Sequence, residues 1–451
     1  MASAPSKLEL LQHIVKNLHA EPWKKSGPIN ESDIRALHLM TGKIGPNGIA
    51  GIRMEAAEGV TQMADAIFSG TRYERGTTFA AVRGKMTDTV IINYADKPQS
   101  VVSAADVAFV EKEIADWYNA QIATHEFYIP CYVTPWPNSA FTVGPVHFVH
   151  VAEFAEAVRA NSEAIFEFTF GPMLESMGRS AAGWVATVSV ADCTKDRAQE
   201  IADLAVDIAL GGLQLSLPED DARHMSRMTG RTMPVFSHAV SRSAGNVSSG
   251  STNSEPGRSF GPGFLDQRLR ETQRLIGSVG HRLTAYVTGH ATLRELEQAW
   301  ADAAYWFHEG LAEPLDTIAV PKLETSIEVL LRSESTKGSK ARVIKAIEAV
   351  YGLKRSDFIN PNSQTTVEQF AQGFVTDRSR ILHGTWSTLN HSLRASRPSL
   401  TMLVRHLLAS YSLILDTYVA EASSTDEIDA FLSYMDQQRQ AQAAAAGVKT
   451  V

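Results

Sequence analysis

At 451 residues the chain is too long for one ordinary hydrophobic core, so two or more domains are expected. Hydrophobic residues make up 44% and charged residues 20%, which excludes a disordered chain, and a net charge of -8 excludes coating a nucleic acid or an anionic membrane with the whole surface. Any polyanion site must be local.

From the N-terminus, Leu8, Leu10, Leu11, Ile14, Val15 and Leu18 recur at helical spacing. This amphipathic stretch has no continuous apolar h-region, and no run of about eighteen apolar residues occurs, so neither export nor a membrane span is expected. GPNGIAGIRMEAAEGVTQMADAIF reads as a glycine turn leading into a helix. TTFAAVRGKMTDTVIINYAD carries β-branched runs on both sides of Gly84 and Lys85 and predicts a hairpin. SAADVAFVEKEIADWYNAQIA predicts a helix capped by Ser103. EFYIPCYVTPW and SAFTVGPVHFVHV read as strands. GWVATVSVADCTKDRAQEIADLAVDIALGGLQLSL reads as a strand, a turn, an alanine-rich helix and a further strand.

Residues 237–263 are dominated by Ser, Gly, Asn and Pro and are expected to be a surface loop or linker. Five segments between 264 and 422 then show apolar residues at helical spacing, which predicts an all-α bundle. The tail from 423 to 451 is expected to fray or remain disordered. The fold class is therefore α+β: a mixed α/β domain over 1–236, then the bundle.

Several candidate motifs are poor. Cys131 and Cys193 have no zinc or disulfide spacing, which suits a reducing cytoplasm. MTGKIGPNG lacks the frame of a phosphate-binding loop. His147 and His150 in HFVH point to opposite faces of a strand, so no metal site is expected there. Trp300, Tyr305, Trp306 and Phe307 read as bundle core or a dimer contact.

DRSRILHG, residues 377–384, is the strongest candidate. Cleaving a phosphodiester without a metal requires a proton-transfer group and a fixed cation for the charge that accumulates on the phosphate oxygens. An imidazole and a guanidinium meet those needs, and RNA supplies its own nucleophile in the 2′-OH. At about 100° per residue, Arg380 and His383 lie about 60° apart on a helix, and Arg378 and His383 about 140° apart. Between Thr376 and His406 five arginines (378, 380, 394, 397 and 405) face one acid, Asp377. RSESTKGSKARVIK adds Arg332, Lys337, Lys340, Arg342 and Lys345 against Glu334. Such a surface attracts phosphates, with an affinity that falls with salt. His391 adds a second imidazole eight residues on. The plain alternative is that Arg378 and Arg380 are solvated partners of Asp377 and Glu368.

The stretch resembles the R-x4-6-H motif of HEPN domains, and within them the Apea-like subgroup with its RS-x-x-x-H-G form. Arg378, Ser379, His383 and Gly384 match it. The resemblance covers roughly residues 290–420, with the upstream segments KLETSIEVLL and KAIEAVYGL, and leaves the first 280 residues unassigned. It implies a metal-independent endoribonuclease without cofactor, acting on RNA as a homodimer or higher oligomer in bacterial anti-phage defence or a toxin-antitoxin pair. Arg378 and His383 would be catalytic. Arg380, Lys340, Arg394 and Arg397 would bind phosphates, with Ser379 and Glu324 in support. The N-terminal domain would receive a trigger or a regulatory partner. The rival expectation is a non-catalytic HEPN module for dimerisation or nucleic-acid binding; a metal enzyme in the N-terminal domain is a third class.

Overall fold

The computed structural model describes residues 5–22, 39–45, 48–95, 101–161, 166–230, 236–333, 336–359, 364–393, 396–421 and 423–445. The chain is α+β, with every strand lying before residue 254 among the described residues. It divides into two compact units, Met1–His125 with Val190–Ile201, and Glu126–Ser189 with Ala202–Val451. The Ser/Gly-rich stretch does not separate them, because it lies inside the second unit.

In the first unit, α1 (Lys7–Lys16) opens with a capping box, the Glu9 carboxylate accepting the Ser6 N–H at 2.7 Å. Strands β1 (Leu18–Pro22), β2 (Leu39–Gly45) and β3 (Gly48–Arg53) form an antiparallel sheet in the order β1-β3-β2. Much of the predicted glycine turn is thus strand, and the helix α2 (Ala57–Phe68) follows it after one 3-10 turn. Next come α3 (Arg72–Gly76), α4 (Phe79–Tyr94) and α5 (Ala104–Gln121). The hairpin predicted over 77–96 is in fact α4. Val82, Met86, Val90 and Tyr94 recur every fourth residue and are all buried, while Thr78 caps the helix by accepting the Ala81 N–H at 3.2 Å. Tertiary burial of that stripe outweighs the β-branched composition. α5 begins as expected, with Ser103 and Asp106 capping each other. Leu11, Ile14, Val60, Met63, Val110 and Ile114 share one core with the α4 stripe.

From Glu126 the second unit takes in most of β4 (Ala123–Tyr132), then β5 (Phe141–Val143), β6 (Val146–His150), α6 (Val151–Asn161), α7 (Gly171–Ser180) and β7 (Trp184–Cys193), whose last residues, with the start of the next helix up to Ile201, fall in the first unit. There follow α8 (Lys195–Ser216), α9 (Glu219–Ala222) and β8 (Ser226–Arg227), and the sheet order is β5-β6-β7-β4-β8. The strand expected at GLQLSL is the last part of α8. Its adjacent glycines serve close approach rather than a break, since a Cβ on Gly211 would lie 2.9 Å from the Ala304 carbonyl oxygen. The expected linker contains a hairpin, β9 (Phe236–Ser243) and β10 (Asn246–Asn253), exposed almost throughout.

The bundle comprises α10 (Phe264–Glu271), α11 (Gln273–Thr288), α12 (Arg294–Ala312), α13 (Asp316–Leu330), α14 (Thr336–Tyr351), α15 (Val367–Leu382), α16 (Arg397–Val419) and α17 (Ile428–Ala445). Its centre is α13, which packs on α12, α15 and α16. Trp300 and Phe307 of α12 are fully buried, and the Trp300 indole N–H donates to the Leu408 carbonyl at 3.0 Å. α11 meets β5 where Gly144, at φ 55°, touches Gly280 backbone to backbone; a Cβ on Gly280 would lie 2.8 Å from the Gly144 nitrogen. The tail expected to fray is largely α17. Ile428, Phe431, Leu432 and Met435 form a buried stripe against α14 and α16. Among the described residues no helix is long and apolar enough to cross a membrane.

Candidate functional site

Helix α15 carries the motif. It starts with a capping box between Thr366 and Gln369 and buries Val367, Ala371 and Val375 against the bundle. The helix stops at Leu382. His383 is its C-cap, and Gly384 takes the left-handed conformation at φ 68°, where a glycine is the least strained residue. The helical-wheel comparison of Arg378 and Arg380 with His383 therefore ends at the cap. The chain then folds back, the Trp386 N–H donating to the Arg380 carbonyl at 3.0 Å.

Arg378 points into the bundle. Its Nη1 lies 2.6 Å from a Glu328 oxygen, and the side chain lines a cleft of about 760 Å³ together with Arg294, Asp302, Thr325, Glu328 and Arg332. Behind it, Glu324 is fully buried, and among the described residues neither carboxyl oxygen has a hydrogen-bond partner. Burial, reinforced by the Glu328 carboxylate and opposed by Arg378, pushes the Glu324 carboxyl up to about 9. At neutral pH Glu324 is thus a neutral acid behind the Glu328–Arg378 salt bridge. Asp302 on the same cleft is also raised by burial, against a hydrogen bond from Gln298.

His383 is exposed, and among the described residues no hydrogen bond or ion pair reaches its imidazole. Arg378 and His383 share neither a bond nor the wall of the cleft. What gathers on the His383 side is Arg380, whose guanidinium carbon lies 4.8 Å from the Trp386 ring centre, and His391, stacked on the same indole at 4.0 Å. Asp377 accepts from the Ser396 hydroxyl at 3.4 Å. Burial raises its carboxyl despite that bond and the nearby His391 and Arg380. Leu382 and Leu389, 61% and 81% exposed, flank the turn. A guanidinium, an indole and two imidazoles at one exposed turn can contact a phosphate, stack on a base and transfer protons.

The other candidates fall elsewhere. Lys340 is paired with Glu368 at 3.0 Å. Arg397 is 5% exposed, bonded to Asp316 at 3.0 Å and to the carbonyls of Gly310 and Leu311, so it crosslinks the bundle instead of facing a ligand. The Ser379 carbonyl accepts the His383 N–H at 3.0 Å. Arg394 and Glu334, and the Lys337 side chain, lie outside the described residues. Much of the basic run is answered by acids, Arg332 by Glu295 and Lys345 by Asp429 at 2.9 Å. The role of Trp386 was missed by the sequence reading. An indole between two basic side chains, just past a helix-ending glycine, is the signal that was there to read.

No family model matches the chain, and neither the curated proteins nor the solved structures yield a significant match.

Proposed function

We propose that this protein is a metal-independent endoribonuclease of the HEPN kind, acting as a homodimer. The observation that carries the reading is the exposed turn that ends helix α15, where His383 is the C-cap and the residues around it in sequence bring Arg380 and His391 onto the Trp386 indole. An unpaired base would stack on Trp386 by displacing His391 or Arg380 from its ring, and Arg380 supplies a charge for the adjoining phosphate. His383 takes the proton from the 2′-OH, whose oxygen attacks phosphorus. The phosphorus–O5′ bond breaks as the 5′-oxygen takes a proton from water, a 2′,3′-cyclic phosphate remains, and His383 returns its proton to solvent. Arg378, held by Glu328, supplies the cation for the transition state from the cleft of a second copy, because one chain does not join it to His383. The apolar Leu382 and Leu389 beside the turn suit such a contact. A place in anti-phage defence or a toxin-antitoxin pair, with the first unit as the regulated part, follows from the family resemblance alone.

A second reading has its own observation. Arg378 is already neutralised by Glu328, as expected of a structural pair in a non-catalytic dimerisation or nucleic-acid-binding module. Incubation with single-stranded RNA in EDTA separates the two. Cleavage to cyclic-phosphate ends by the wild type, lost in folded His383→Ala and Arg378→Ala, supports the enzyme. Equal cleavage in all three proteins, or RNA binding with no cleavage, overturns it.

A further inference from the structure

Helix α8 buries Asp207, at 6% exposure, and Gln214, at 0%, within an otherwise largely apolar stretch. Seven residues apart, they share a helix face. Gly211 between them lets α12 come close and brings up His308, itself 4% exposed. The hydrogen bonds fix the tautomer of this histidine. The Gln214 amide nitrogen donates to the Ala222 carbonyl at 2.8 Å, so its oxygen faces His308 Nδ1 at 3.0 Å. An amide oxygen only accepts; Nδ1 therefore carries the hydrogen, and Nε2 of the neutral ring presents a lone pair. Burial holds the ring in that neutral form, against the charges of Asp207 and Glu309.

That lone pair lies 3.8 Å from Asp207 Oδ1, another acceptor. Asp207 already accepts two bonds from Arg227, both at 2.8 Å, and Arg227 also reaches Asp203 at 3.3 Å. Two acceptors thus face each other with no hydrogen between them. Both line a cavity of about 240 Å³, with Ser226, Arg227, Tyr305 and Glu309. Its wall holds two carboxylates against one guanidinium, and Glu309 shares Lys322 at 3.3 Å with Glu313.

We propose that this cavity binds a small protonated amine, whose ammonium bridges His308 Nε2 and Asp207 Oδ1. A nitrogen about 2.8 Å from each acceptor completes both. Its charge offsets the carboxylate excess, and the volume, roughly that of eight waters, admits a short diamine.

Calorimetric titration of the full-length protein with putrescine, beside a neutral diol of the same chain length, tests this. The diamine is expected to bind and the diol not. His308→Phe fills the imidazole's space without an acceptor and should weaken binding at least about tenfold. NMR of wild-type protein carrying isotope-labelled histidine gives a readout independent of the variant's folding: the unprotonated Nε2 resonance of His308 should shift as putrescine saturates. No binding at millimolar putrescine, equal binding of the diol, unchanged affinity in a folded His308→Phe, or an Nε2 already protonated without ligand would each overturn the proposal.

Discussion

The buried Glu324 makes a quantitative test of the cluster behind Arg378. Its carboxyl is raised from 4.5 to about 9, chiefly by burial. A group whose proton is held more tightly in the folded state contributes stability that is complete below its unfolded value and is lost as pH rises toward its folded value. Each pH unit in that window costs about 1.36 kcal/mol, so the native protein forfeits about 3 kcal/mol by neutral pH and more by pH about 8.5. Glu324→Gln replaces the neutral acid with a neutral amide of the same shape. It should leave stability nearly unchanged at pH about 4.5 and raise it by up to about 3 kcal/mol at pH about 7, less whatever the new amide hydrogens lose without acceptors. Urea unfolding of both proteins at fixed ionic strength, across that range, reads the difference. A gap between variant and wild type that does not widen with pH would show that Glu324 is ionised in the fold, and the reasoning would fail.

The other substitutions separate scaffold from surface. Arg397→Ala strips a buried partner from Asp316 and two carbonyls and should cost about 3 kcal/mol in urea unfolding, while leaving the salt dependence of RNA binding unchanged. Trp386→Ala should do the reverse, weakening single-stranded RNA binding by about 1–3 kcal/mol in a filter-binding assay, with unfolding little changed.

Where local and tertiary signals agree, the fold is readable from sequence. Ser103 and Asp106 announce α5, and the stripes of α12, α13 and α16 announce the bundle. They conflict over 77–96, where Thr, Val and Ile argue for strands and only the fourfold spacing from Val82 to Tyr94 argues for helix. Gly211 and Gly212 look like a break until the neighbouring helix they admit is known. The same holds at the motif. Gly384 reads from sequence only as part of the motif, yet it is the left-handed residue that follows the C-cap His383 at the end of α15. No spacing rule could pair Arg378 with Glu328, because that contact depends on how α13 and α15 pack. The Asp207, Gln214 and His308 cluster draws on two helices about a hundred residues apart, and its sequence trace is no more than Asp207 and Gln214 in the apolar second half of α8.

Subunit mixing asks whether two copies of the chain share each catalytic centre. If each active centre takes Arg378 from one copy and His383 from another, inactive Arg378→Ala and inactive His383→Ala proteins should regain cleavage when unfolded and refolded together. Recovery should be roughly a quarter of the wild-type rate, since half of the dimers are mixed and each of those carries one intact centre. Mixtures that fold and dimerise but stay inactive would contradict a centre shared between subunits.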